Sequence, residues 1–173
     1  MYTLGPEEKA SPVMVYTQTR LIRGDVVTRQ QVRVSTWLRT EGAPEFMHIL
    51  KPQVQDLVGS AVKTTNYSEL YQPTSEVIGF HLAPPAHDLM DFDESEMNRA
   101  LQPVSVLVGG FVFAGNLRVS TQVDLGTSIA SGRAVWMSIY NVTVTSPHLP
   151  QMGELRVPFL VVRPHEVVFA LNG

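Results

Sequence analysis

Two stretches of the chain, VMVYTQTRLIRG (residues 13–24) and VSVLVGGFVFAG (residues 104–115), carry the same order of apolar residues and end in a glycine. Both stretches are rich in β-branched and aromatic residues, a composition typical of β-strands. The glycine is followed by Asp25 in one stretch and by Asn116 in the other. Because these residue types tolerate positive φ, each stretch predicts a strand that ends in a glycine turn.

The likeness between the two stretches extends over most of the chain. Gly24 aligns with Gly115 at an offset of 91 residues, and one residue lost near Glu41 reduces the offset to 90. The other aligned segments are residues 46–49 with 136–139 and residues 76–78 with 166–168. Because a single gap keeps several segments in register, the pattern predicts an internal repeat.

The repeat divides the chain into four parts. These are an N-terminal tail (1–12), a first unit (13–82), an acidic connector (83–103) and a second unit (104–173). Pro84 and Pro85 end the first unit, since proline cannot donate to a strand ladder. Residues 93–101 predict a short helix in the connector, because acids at its start and Arg99 near its end complement the helix dipole.

Each unit offers four or five short strands in about 70 residues, a length at which a sheet protects its edges best by closing into a barrel. The strand with its glycine turn, a middle strand and a terminal apolar hairpin (residues 69–82 and 159–171) resemble small Sm-like or SH3-like barrels. The chain is also similar to short bacterial β proteins, and this similarity implies no particular activity. We therefore expect a mainly all-β fold of two tandem barrel-like units of similar topology, joined by a helical connector.

Apolar residues of the predicted strands supply the expected cores of the two units. They are Leu21, Ile22, Trp37 or Leu38, Phe46 and Ile49 in the first unit, and Val112, Phe113, Ile129, Trp136 and Ile139 in the second.

Composition excludes several classes of protein. The chain of 173 residues has no cysteine, which rules out disulfides, thiol catalysis and cysteine-ligated metals. Its polar N-terminus predicts no signal peptide, and its apolar runs are too short for a membrane span. We therefore expect a cytoplasmic protein with no membrane association. The motifs of hydrolases and phosphate-binding loops are absent from the sequence, so we predict no cofactor and no catalytic residue.

The connector contains a cluster of possible metal ligands. His87, Asp88, Asp91 and Asp93 lie within seven residues, followed by Glu94 and Glu96. Such a set could bind a hard cation, although the spacing and glycine of an EF-hand loop are missing. The alternative, which the sequence favours, is a solvated acidic linker.

Five arginines lie within twenty residues of the first unit: Arg20, Arg23, Arg29, Arg33 and Arg39. One hypothesis is a phosphate-contacting patch for nucleic acid. The resemblance to Sm-like proteins implies RNA contact at the terminal turns, but only residues 163–165 supply a cation, whereas residues 72–74 do not. The favoured alternative is a solvated face or an intramolecular partner for the acidic connector, with Phe92 and Leu101 as apolar anchors.

Three functional classes follow from these patterns. The leading one is a non-catalytic structural or interaction protein that associates with itself or with another protein. The second is a nucleic-acid-binding module that uses the arginine stretch. The third is a metal-dependent protein that uses residues 87–96.

Overall fold

A computed structural model describes residues 2–40, 42–132 and 134–171. In these ranges the strands are β1 (Glu8–Tyr16), β2 (Arg20–Arg29), β3 (Phe46–Asp56), β4 (Lys63–Asn66), β5 (Glu69–Pro73), β6 (Gly79–Leu82), β7 (Arg99–Val108), β8 (Phe111–Ser120), β9 (Met137–Thr145), β10 (Leu155–Val162) and β11 (Val168–Ala170). The helices are α1 (Val34–Trp37), α2 (Leu125–Ser131) and the 3-10 turns Thr74–Glu76, Pro150–Met152 and Pro164–Glu166. None of the helices in the described ranges is long and apolar enough to cross a membrane.

The chain is mostly β, and its strands form one antiparallel sheet. The strand order is β11-β7-β8-β9-β10-β6-β1-β2-β3-β4, and β5 also pairs with β3 beside β4. The first half of the chain therefore supplies β1 to β6 and the second half supplies β7 to β11. The two halves meet where β6 pairs with β10.

The predicted pair of closed barrels is not confirmed, because the sheet is not closed. A barrel in the first half would need the outer edge of β6 to meet β5. That edge is instead occupied by β10, since Phe80 pairs with Val161 and Gly79 with Val162. Backbone groups already bonded to β10 are not available to close the first half on itself.

The predicted glycine turns are wrong, because Gly24 and Gly115 lie inside β2 and β8. Each sits at a shift in the strand register, in the pairing with β3 or β9. A Cβ on Gly24 would lie 2.6 Å from Ile49 Cγ2, and one on Gly115 would lie 2.9 Å from Ile139 Cγ2. Glycine is therefore needed for close approach of neighbouring strands. The first reversal of the chain comes earlier, at residues 17–19.

The predicted terminal hairpins are also wrong. Strand β5 pairs with β3, whereas β6 pairs with β1 and β10. Likewise β10 pairs with β9 and β6, whereas β11 pairs with β7. The 3-10 turns at Thr74–Glu76 and Pro164–Glu166 carry the chain from one edge of its half to the other.

The predicted helix in the connector is absent from the structure. The Asp93 carboxylate accepts hydrogen bonds from the N–H and hydroxyl of Ser95, at 2.8 and 2.7 Å, which fixes a turn instead. Asn98 then adopts φ +63°, which no helix interior allows. Strands β1 and β7 begin at Glu8 and Arg99, so both extend beyond the predicted boundaries of the units.

Two clusters of buried side chains form the core, and each contains residues from both halves. Of the expected core, Leu21, Ile22, Leu38, Ile49, Phe113, Trp136 and Ile139 are buried. Trp37, Val112 and Ile129 are half-buried. Phe46 is 46% exposed, because it lies on the opposite face of β3 from Met47 and Ile49.

Truncation of Trp136 tests how firmly the two halves are packed together. Its indole is 5% exposed and meets the Phe80 ring edge-on at 5.3 Å between centroids. We expect Trp136→Ala to lower the free energy of unfolding by about 3–5 kcal/mol in urea denaturation. Phe46→Ala, at the aligned position of the first half, should cost about half as much, because Phe46 is 46% exposed and buries only part of its area. Equal losses would contradict this packing.

Candidate functional site

The predicted arginine patch is distributed along β2 and the segment around α1. Arg20, Arg23 and Arg29 lie in β2, Arg33 precedes α1 and Arg39 follows it. Arg20 pairs with Asp56 at 2.7 Å, and Arg39 pairs with Asp91 at 2.6 Å. For the other three arginines the structure shows no ion pair within the described ranges. Nucleic-acid binding by this stretch stays the less favoured of the two hypotheses drawn from the sequence.

At the terminal turn that the Sm-like resemblance implicates in RNA contact, the Arg163 side chain makes contacts within the chain. The Arg163 guanidinium donates hydrogen bonds to the carbonyls of Val77 and Thr74, both at 2.8 Å. It also lies over the Trp136 ring, 4.5 Å from the centroid. These contacts direct the Arg163 side chain into the junction between the two halves.

The predicted metal ligands have separate partners. His87 Nδ1 lies 3.3 Å from a backbone carbonyl, Asp88 accepts from the Ser35 N–H at 3.0 Å, and Asp93 binds Ser95. Across the residues that the structure describes, no group of three or more His, Asp or Glu side chains could hold a metal ion. Metal binding at residues 87–96 therefore stays the less favoured hypothesis, which rests on the sequence alone.

Asp91 is the centre of a polar network that joins three segments of the chain. Its Oδ2 accepts from Arg39 Nη1 at 2.6 Å and from the Ser138 hydroxyl at 2.7 Å. Its Oδ1 accepts from the Tyr140 hydroxyl at 2.5 Å, and Arg39 Nη2 donates to Ser138 Oγ. Arg39 belongs to the first half, Ser138 and Tyr140 belong to β9, and Asp91 belongs to the connector.

The electrostatics of this network favour a charged carboxylate. Partial burial opposes ionisation of Asp91, but the hydrogen bonds from Tyr140 and Ser138 and the charge of Arg39 outweigh it, so its pKa is lowered. Burial and the hydrogen bond to Asp91 raise the pKa of Tyr140. The network is therefore a fixed ion pair that ties the connector to both halves.

The predicted docking of the connector on the arginine-bearing segment is confirmed at two contacts, Asp91 with Arg39 and Asp88 with the Ser35 N–H. Phe92 is half-buried and packs edge-on against Tyr140 of β9 at 4.8 Å, so this contact holds the connector to the second half and not to the arginine-bearing segment. Leu101 is not an anchor, because it lies in β7 and is 43% exposed.

A second buried polar pair lies beneath the junction of the halves. The Tyr16 hydroxyl lies 2.8 Å from His81 Nε2, and His81 Nδ1 lies 2.7 Å from the Leu82 carbonyl. The carbonyl can only accept, so Nδ1 carries the proton and Tyr16 donates to Nε2. A cavity of about 20 Å³ beside His81 has room for a single water molecule.

The outer surface of β3 and β5 carries a group of aromatic side chains that the sequence reasoning missed. The His48 ring stacks on Tyr71 at 4.5 Å and meets the Tyr2 ring edge-on, also at 4.5 Å. Phe46 lies on the same face of β3 as His48. We call Tyr2, Phe46, His48 and Tyr71 the aromatic face. Its signal in the sequence is the alternation of Phe46 and His48 with buried Met47 and Ile49.

Glu69 borders the aromatic face and fixes its polar contacts. Its Oε2 lies 3.1 Å from His48 Nε2, and its Oε1 accepts from the Tyr2 N–H at 3.0 Å. The hydrogen bond from His48 lowers the pKa of Glu69, so the carboxylate is charged at neutral pH. Tyr71 remains 58% exposed and Phe46 46% exposed.

The aromatic face adjoins an unpaired strand edge. Thr74 N–H donates to the Glu45 carbonyl and Lys51 N–H to the Ser68 carbonyl, both at 2.9 Å, at the two ends of the pairing of β5 with β3. Because bonding alternates along an antiparallel pair, the N–H and carbonyl of Tyr71 point away from β3. Within the described ranges β5 pairs with no strand on that side.

Comparisons of the chain with protein-family models, with curated proteins and with solved structures gave no match.

Replacing Asp91 tests the network at the centre of the connector. Asp91→Asn removes the charge that Arg39 faces and places amide hydrogens opposite hydroxyl donors. We expect a loss of roughly 1–3 kcal/mol in the free energy of unfolding. The matched control is Asp56→Asn in the exposed pair with Arg20, which should cost less than about 1 kcal/mol. Equal costs would show that the Asp91 network contributes no more than a surface pair.

The buried His81 predicts a pH dependence of folding. Burial lowers the pKa of its imidazole from the usual 6.5 to about 4. Between these values the unfolded chain binds a proton that the folded chain does not, so stability falls as the pH is lowered from about 6.5 to about 4. The full loss is roughly 3 kcal/mol. Urea unfolding across this window should give a flatter profile for His81→Gln, and an unchanged slope would contradict the assignment.

Proposed function

We propose that this chain is a non-catalytic interaction module that self-associates through the aromatic face and the free edge of β5. One observation carries the proposal: large apolar rings are exposed directly beside an unpaired strand edge. Phe46 and Tyr71 lie on neighbouring strands at the edge of the sheet, where His48 pairs with Tyr71 and Phe46 with Pro73.

The chemistry of this surface favours a protein partner. A strand edge presents backbone donors and acceptors at a fixed spacing, which another extended chain satisfies best. Tyrosine, phenylalanine and similar large rings are enriched at the centres of protein interfaces, where they bury much area at a small entropy cost. The aromatic face therefore supplies apolar area and the β5 edge supplies direction.

Self-association is favoured because, in the part of the chain that the structure describes, the opposite end of the sheet also presents an unpaired strand edge. Strand β11 ends the strand order beside β7, and Val168 and Leu107 at this edge are 59% and 41% exposed. A chain with two complementary edges can bind another copy of itself without any further partner.

Sedimentation of the full chain over a range of micromolar concentrations tests this proposal. We expect the mass to rise with concentration, and Phe46→Glu to suppress the rise, because it would bury an unpaired charge in the interface. The matched control is Val58→Glu, at a residue that is 68% exposed and lies in the loop after β3. This control should associate as the unaltered chain does.

Two results would contradict the proposal. One is an unaltered chain that stays monomeric at every concentration. The other is a Phe46→Glu chain that associates as strongly as the Val58→Glu control, which would place the interface elsewhere. Urea unfolding of dilute samples should show that both variants fold, because both side chains are exposed.

A further inference from the structure

The two halves of the sheet pair their strands in the same order. The first half pairs β1 with β2, β2 with β3, β3 with β5 and β1 with β6. The second half pairs β7 with β8, β8 with β9, β9 with β10 and β7 with β11. In this correspondence β5 takes the place of β10, and β11 takes the place of β6.

The strand registers make the correspondence specific to single residues. In the first half His48 pairs with Tyr71, and at the aligned position of the second half Ser138 pairs with Val161. Tyr71 therefore corresponds to Val161. In the first half Val15 pairs with Phe80, and at the aligned position of the second half Val106 pairs with Phe169. Phe169 therefore corresponds to Phe80.

The chain already contains one junction between its halves, formed by these same strand types. Val161 pairs with Phe80 there, and the Arg163 N–H donates to the Ile78 carbonyl at 2.7 Å. The strands in the corresponding places, β5 and β11, each have one unpaired edge within the described ranges. One junction between halves is therefore formed within the chain. The two strand edges that could form a second junction, those of β5 and β11, lie unpaired at opposite ends of the described sheet.

The exposure of side chains follows the same division. Trp136 and Val161 are buried at the filled junction, whereas Phe46 and Tyr71 in the corresponding places are exposed. On the receiving side, Leu82 packs against the core, whereas Leu171 beyond β11 is 56% exposed. Helix α1 buries Val34 and Ser35, whereas α2 buries none of its residues.

We propose that β5 of one copy pairs antiparallel with β11 of a second copy, with Tyr71 opposite Phe169. The contact reproduces between chains the junction that β10 and β6 form within the chain. It rests on the proposed function and names the surface that the aromatic face binds. Because the two surfaces differ, the contact is head-to-tail, and repetition produces a ring if the rotation closes or a filament if it does not.

Two differences between corresponding residues make this contact weaker than the junction within the chain. Pro73 corresponds to Arg163, whose N–H and guanidinium donate hydrogen bonds to carbonyls of the first half. Proline has neither group to donate. Val168 stands where Gly79 allows close approach, since a Cβ on Gly79 would lie 3.3 Å from the Val161 carbonyl oxygen. The association is therefore expected to reverse on dilution.

Complementation between two variants tests the head-to-tail geometry. Phe46→Glu blocks the β5 surface, and Leu171→Glu blocks the β11 surface, while each variant keeps the other surface intact. We expect each variant alone to sediment as a monomer, and an equimolar mixture to form a dimer that grows no further. Mixtures of either variant with itself, and Val58→Glu alone, serve as controls.

The outcomes separate the two proposals. If Leu171→Glu associates as the unaltered chain does while Phe46→Glu does not, the β11 contact is refuted and the aromatic face stands as the interface. Monomeric mixtures of two folded variants would refute the head-to-tail contact in the same way. An unaltered chain that is monomeric throughout would refute both proposals.

The register has its own test, because the chain contains no cysteine. Tyr71→Cys and Leu171→Cys place thiols on one face of the proposed strand pair, as diagonal neighbours. A short thiol crosslinker should join the two variants when they are mixed, but should join neither variant to itself. Tyr71→Cys mixed with Met97→Cys, at a residue 83% exposed, should give no product. Crosslinking of Tyr71→Cys alone would show a β5–β5 contact and overturn the proposal.

Discussion

One short ladder of backbone hydrogen bonds, between β6 and β10, holds the two halves of this sheet together. The ladder joins only two residue pairs, but the side chains packed around it come from both halves. Arg163 donates from its backbone and its guanidinium to carbonyls of the first half, and Trp136 packs over Phe80 on the same side. Because both core clusters contain side chains from both halves, neither half has a complete core without this ladder. The Asp91 network then closes over the junction from the connector.

The sequence predicts the strand-rich composition of this fold well and its connections poorly. Alternation and β-branched residues locate most strands, since those signals depend on neighbouring residues. Strand pairing depends on contacts that are distant in sequence, and no local pattern shows that β6 meets β10 rather than β5. Gly24 shows the same limit: the residue type predicted a turn, whereas the close approach of Ile49 from another strand is what requires glycine.

The candidate surface was missed for a related reason. Clusters of charged residues in a sequence suggest binding sites, because charged side chains bind ions and phosphates. In the structure, however, Arg39 and Asp91 pair with each other, and the Arg163 guanidinium donates to backbone carbonyls. The apolar character of Phe46 predicts a place in the core. Its exposure follows from the alternation along β3, which places it opposite Met47 and Ile49, and from the position of β3 near the end of the sheet.

An unpaired edge beside exposed rings invites nonspecific strand pairing, and the chemistry of this edge limits that pairing. Strand β11 has three residues and β5 has five, so each offers few backbone groups to an unrelated strand. Pro73 removes a donor from β5, and the charged Glu69 begins the same strand. Nonspecific strand pairing is weakened by these features, because it depends on the backbone alone. A partner that also covers Phe46 and Tyr71 gains apolar area that compensates for the missing donors, so the surface selects by side-chain complementarity.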